Sequence, residues 1–161
     1  MKRAGDYVEM AQLALLDAGL PGEAQQVMEK GVESGLLKSA DKTEQGRYDR
    51  LLGDAKRQAT TDKAALPQLA KEAEKSPKGQ ADVALGQAYL SYGQFDEAVS
   101  VLDRGIKKGG VTDQDEAQVS LGLAYLRKGD KDKAREALKA VKSDSKWAEL
   151  AELWSIRTQA S

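Results

Sequence analysis

"LGQAYLSYGQFDEAVSVLDRG" runs from Leu85 to Gly105, and "LGLAYLRKGDKDKAREALKAV" runs from Leu121 to Val141. Both keep Leu-Gly, Ala-Tyr-Leu, a lone Gly and then Ala at one interval. Gly86 and Gly122, Tyr89 and Tyr125, Gly93 and Gly129, Ala98 and Ala134, and Leu102 and Leu138 are each 36 residues apart. A period of this size marks stacked supersecondary units, none of which buries its apolar face alone. Val83, Gly86, Tyr89 and Leu90, and then Ala98, Val101, Leu102 and Ile106, recur at the three-four spacing of two amphipathic helices. Gly93 ends the first helix, because glycine enters the left-handed C-cap conformation without a Cβ clash. Gly86 and Ala98 are small where the helices cross, and Tyr89 fills the space beside them. The repeated residues are those that set how two helices approach.

Moving 74 residues upstream, Leu15, Gly19, Ala24, Met28 and Gly31 fall under Tyr89, Gly93, Ala98, Leu102 and Gly105. The chain therefore reads as repeats over residues 5–36, 41–76, 77–110 and 113–143, with a capping helix over 145–157, all in one domain of residues 1–161. The second copy is worn: Tyr48, Leu51, Leu52 and Ala55 mark its first helix, and Ala65, Leu66, Leu69 and Ala73 its second, which Pro67 is expected to shorten or kink. Helix starts are signalled by Asp41 with Glu44 and Thr112 with Asp115, by Ser76 before Pro77, and by Asp130. Nine helices are expected. The fold class is all-α.

Leu85-Gly86, Tyr89, Gly93, Ala98 and Leu102, repeated as Leu121-Gly122, Tyr125, Gly129, Ala134 and Leu138, resemble the tetratricopeptide repeat signature. The second copy departs from that pattern, as do the missing early Trp and the Gly110 and Lys146 that stand where a repeat-end Pro is usual. The interval of 36 also exceeds the family's 34. The resemblance implies an α-solenoid: about four helix-turn-helix repeats in a right-handed superhelix, with first helices lining a concave groove that binds protein segments. A narrower likeness, through "GVESGLL" and the Ala-rich, Trp-containing last helix, is to accessory subunits of bacterial cell envelopes. The chain enters its first helix with almost no lead-in, as a piece of a longer repeat protein would.

Composition agrees with a noncatalytic part. The 25 basic and 26 acidic residues are interleaved, so nothing marks a nucleic-acid partner. Histidine and cysteine are both absent, which removes the commonest general base and all thiol chemistry. No cofactor or metal is expected: "DKTEQGRYDRLL" from Asp41 has Leu52 where a calcium loop needs a bidentate Glu, and "RGIKKGGVTD" lacks the Gly-Lys-Ser/Thr of a phosphate loop. Asp96-Glu97, Asp115-Glu116 and Glu149-Glu152 sit on polar helix faces, and Lys107-Lys108 reads as solvated surface. No run is long and apolar enough to span a membrane, and the compartment, cytoplasmic or periplasmic, is left open.

Two surfaces are candidates for a partner. The groove geometry implied by the resemblance puts Gln80, Val83, Gln87 and Ser91 on the third copy and Glu116, Val119, Leu123 and Arg127 on the fourth. It adds Asp6, Glu9, Met10, Leu13 and Asp17 on the first. Apart from a lone Arg127, these places lack the Lys, Arg and Asn with which related domains clamp a terminal carboxylate, so the expected ligand is an apolar helical or extended segment. The second surface is the last helix, where Trp147, Leu150, Ala151 and Trp154 share one stripe. It either seals the final repeat or docks a subunit, and a self-associating assembly module is the alternative to a peptide-binding scaffold.

Overall fold

A computed structural model describes residues 3–17 and 19–159; most of these are helical, and they fall into two compact units, unit 1 up to Leu66 and unit 2 from Pro67 onward. Unit 1 contains α1 (Ala4–Gln12), a π-helical turn (Leu13–Asp17), α2 (Pro21–Glu33) and the first part of α3 (Lys42–Lys75). Its core is built from Tyr7, Ala11, Leu15, Ala24, Met28, Leu37, Tyr48 and Ala55. Unit 2 holds the end of α3, then α4 (Gln80–Ser91), α5 (Phe95–Lys108), α6 (Gln114–Lys128), α7 (Lys131–Lys139) and α8 (Ala148–Gln159). Consecutive helices from α4 to α8 pack against one another, and α6 also touches both α4 and α8. In unit 2, then, α4, α6 and α8 form one layer and α5 and α7 the other.

The repeated glycines act as the spacing predicts. Gly93 and Gly129 have φ of 72° and 93°, and the amide after each returns to a tyrosine carbonyl, Gln94 to Tyr89 at 2.9 Å and Asp130 to Tyr125 at 2.9 Å. A Cβ on Gly86 would lie 2.8 Å from Leu102 Cδ2, and one on Gly122 would lie 2.8 Å from Leu138 Cδ2. Each first helix thus receives the same leucine of its second helix at a site with no side chain of its own. Ala98 and Ala134 are fully buried on the facing helices.

The worn copy is not a helix pair. Residues 42–75 form one helix of 34 residues, so eight α-helices rather than nine stand among the described residues. The reason is local. The place 36 residues before Gly93 is Arg57, which cannot take the left-handed conformation cheaply and favours helix, so the chain has no stop there. Thr60 and Thr61 return their hydroxyls to the carbonyls of Lys56 and Arg57, and Gln68 donates to Glu72 at 2.8 Å. Pro67 is held inside α3 at the loss of one backbone hydrogen bond, where a short or kinked helix was expected.

Some starts differ too. Asp41 and Asp130 cap α3 and α7 through the amides of Glu44 and Lys133. At α6 the cap is Asp113 rather than Thr112. Ser76 closes a turn with Lys78 instead of capping α4, whose N-cap is Gly79. The last helix begins at Ala148 rather than 145, with Trp147 just ahead of it.

Asp82, absent from the sequence reading, is the buried charge of unit 2. Its side chain is 0% exposed, and its Oδ1 accepts from Arg104 Nε at 2.8 Å and Nη2 at 2.6 Å. Lys108 Nζ lies 2.8 Å from Oδ2 and also donates to the carbonyl of Ala73 at 2.8 Å, near the end of α3. Lys108 is therefore a clamp, not solvated surface: it neutralises a buried carboxylate and a helix C-terminus together. Beside it, Gly79 N donates to Gly109 O at 2.7 Å, and a Cβ on Gly105 would stand 2.8 Å from Gly79 O.

Gly86→Leu should lower stability by about 1–3 kcal/mol, because the added atoms meet a fully buried Leu102. A urea midpoint equal to the parent's would place the crossing elsewhere. Asp82→Ala should cost about 3 kcal/mol, since it strands two cations. Their own partial exposure limits the loss, and Asp82→Asn should recover part of it in the same urea titration.

Candidate functional site

Equivalent stripes run along α4 and α6 at spacing i, i+4, i+7, i+11: Gln80, Ala84, Gln87 and Ser91, and Glu116, Ser120, Leu123 and Arg127. Gln87 joins them, donating from Nε2 to Glu116 Oε1 at 3.2 Å and to Ser120 Oγ at 3.3 Å. Gln87, Glu116 and Leu123 are half-buried and Arg127 is exposed. Gln87 and Glu116 thus bring an amide and a carboxylate together across two first helices, and Leu123 and Arg127 stand further along the same α6 stripe. None is consumed by the core.

The other groove candidates are engaged elsewhere. Val83 is a core residue packed with Ala98 and Leu102. Val119 is likewise buried, against Leu138 and Ala151. Both lie inward where the implied geometry had them facing a ligand, since α4 and α6 are packed on both flanks and each stripe keeps only a narrow free edge. Ser91 is buried and donates to its own helix at Ala88 O, 2.7 Å away. Gln80 is exposed, yet its Oε1 accepts from Thr112 N at 2.7 Å and pins the link before α6. Of the first-copy places, Glu9, Met10 and Leu13 are exposed, Asp6 binds Arg3, and the side chain of Asp17 lies outside the described residues.

The two tryptophans serve the chain's own packing. Trp147, Leu150 and Trp154 pack around Val119, Leu138 and Ala151, so the stripe seals α8 onto α6 and α7. Trp147 Nε1 donates to Asp113 Oδ2 at 2.9 Å, and Lys146 Nζ stands 3.2 Å from the same oxygen. Asp113 Oδ1 accepts the Glu116 amide at 3.0 Å. The Glu116 amide, the Trp147 indole and Lys146 together hold the Asp113 carboxyl down from 3.8 to about 2. Arg157 covers the outer face of Trp154 at 5.0 Å. Facing away from this packing, Leu153 and Ile156 are each 58% exposed. Asp113 was legible as a helix start, one residue off; its indole partner was not, because a hydrogen bond across 34 residues has no local pattern.

No group of metal-binding side chains stands among the described residues, and none of their helices is long and apolar enough to cross a membrane. Residues 83–147 match a family model described as tetratricopeptide repeat. Searches of curated proteins and of solved structures returned no match.

Asp113's depressed pKa makes its contribution acid-sensitive. Stability from the ionised carboxylate is complete above the ordinary carboxylate range and is lost as pH falls through about 2. Asp113→Asn keeps a capping acceptor but not the charge. It should therefore melt below the parent at pH 6, with the difference shrinking between about pH 4 and pH 2 as the parent itself becomes neutral. A difference that does not change with pH would assign the effect to packing alone.

Proposed function

We propose that this chain is a noncatalytic scaffold whose α4–α6 face receives a segment of a partner protein: residues 83–147 match the tetratricopeptide repeat, a module that generally mediates protein–protein contact. The observation that carries the reading is the set of Gln87 on α4 and Glu116, Leu123 and Arg127 on α6, tied across by the Gln87–Glu116 hydrogen bond. It is exposed or half-buried, polar enough to stay in water, and spans two successive first helices. Leu123 offers an apolar contact between a carboxylate and a cation, which suits a helical or extended segment whose own side chains supply most of the binding energy. Few exposed ion pairs are involved, so salt screens little of it.

A second reading is favoured by the outward face of α8. Leu153 and Ile156 present apolar surface on the terminal helix, which fits self-association through that end of unit 2. Light scattering over a range of concentrations separates the two, because only self-association changes mass without a ligand. Ile156→Glu should abolish any such rise in mass.

For the groove, a partner captured on the immobilised chain is titrated by calorimetry against variants. Leu123→Glu should weaken binding tenfold or more, about 1.4 kcal/mol. Arg127→Glu should weaken it less and leave the melting temperature unchanged, because Arg127 is exposed. Normal binding by both variants, or affinity that collapses between low and moderate salt, would remove the groove from consideration.

A further inference from the structure

The long helix α3 is fastened at its two ends. In its first half Tyr48 and Ala55 belong to the core of unit 1, with Leu51 and Leu52 packed against that core, and Lys56 Nζ reaches Glu29 of α2 at 3.2 Å. At its other end Lys108 donates to the carbonyls of Ala73 and Glu74, at 2.8 and 3.3 Å. Between these anchors lie roughly two turns in which no residue is buried. Thr60, Thr61, Lys63, Ala64 and Ala65 are exposed there, and Asp62 is half-buried. The border between the two compact units, Leu66 to Pro67, follows directly.

Most of a helix's stability in a protein comes from packing of its apolar face, so these turns rest chiefly on their own backbone bonds. Three local features weaken those bonds. Pro67 supplies no N–H to the turn before it, and its ring crowds the carbonyl four residues back. It also disfavours the helical conformation of Leu66, the residue it follows. Thr60 and Thr61 return their hydroxyls to the carbonyls of Lys56 and Arg57 at 2.8 and 3.2 Å, a pattern that loosens and bends helices.

We propose that the turns from Thr60 to Pro67 are a hinge. The continuous helix exchanges there with a second, bent state on the microsecond-to-millisecond timescale, while the first turns of α3 stay in the core of unit 1 and its last turns stay under Lys108. Sharp helix bends are almost always set by proline, and here the proline stands beside turns that no core holds. Bending between Ala59 and Leu66 leaves both of these buried side chains in place, so it exposes little apolar area. The worn copy then acts as a joint rather than as a repeat. The joint is separate from the α4–α6 face, and neither reading rests on the other.

The chain has no cysteine, so spin labels attach only where one is introduced. Arg50→Cys and Lys71→Cys, both at exposed positions, put labels 21 residues apart along α3, about 30 Å in an unbroken helix. Double electron–electron resonance should find that distance together with a second, shorter component, and Pro67→Ala should reduce the shorter component at least threefold. In the unlabelled chain the amides of Ala64, Ala65 and Leu66 should exchange with deuterium at least tenfold faster than those of Leu51, Leu52 and Ala55, and Pro67→Ala should slow them. A single narrow distance in the parent, a shorter component that persists in Pro67→Ala, or equal exchange in the two stretches of α3 would overturn the proposal.

Discussion

The contact on which unit 2 rests is a leucine set against bare backbone. Leu102 lies over Gly86, and Leu138 lies over Gly122, at distances that leave no room for a Cβ. Where side chains would normally hold two helix axes about 8–10 Å apart, the missing atoms let each pair close further around one buried leucine. The rest follows from that approach. Ala98 and Ala134 must be small because they lie in the same crossing, and the tyrosines at 89 and 125 occupy the space beside it. The turns at Gly93 and Gly129 must be tight, since each second helix has to return at once along the first.

Two carboxylates then do different work in fastening these pairs. Asp82 is wholly withdrawn from water, and its cost is offset by Arg104 and Lys108. Both cations come from the last turns of α5, and Lys108 also reaches the carbonyls at the end of α3. One buried charge thus fixes where three helix ends meet. Asp113 lies nearer the surface and collects its own helix's amide, an indole and an ammonium. It ties the end of the α7–α8 link, at Lys146 and Trp147, to the start of α6.

Much of the fold was legible because glycine and alanine at a constant interval have a steric meaning that survives any change around them. The turns, the crossings and the apolar stripe of α8 were all readable on that ground. The merged α3 was misread as two helices because apolar residues at helical spacing say that helix is present without saying where it stops. Stopping required a residue like Gly93, and Arg57 stands there instead. Asp82 escaped notice because an acid between Ala81 and Val83 has the look of an ordinary polar position; its equivalent 36 residues on is Gln118, so the repeat itself gave no warning. Of the groove residues, Val83 and Val119 turned inward for the same reason. A stripe of helical positions names a face, and only the neighbours packed around it decide which edge of that face reaches water.

Both tryptophans of the chain, Trp147 and Trp154, lie within the α8 segment. Trp147 finds its hydrogen-bond partner 34 residues upstream, whereas the amide that the same aspartate caps is only three residues away. If α8 lifts, α6 therefore keeps its cap while the indole passes into water, and the segment opens as a local unit. Intrinsic fluorescence consequently reports the docking of this one helix. Far-ultraviolet dichroism instead averages over α1 to α8, so non-superimposable curves from the two signals would measure how much cheaper it is to detach the last helix than to melt the repeats beneath it.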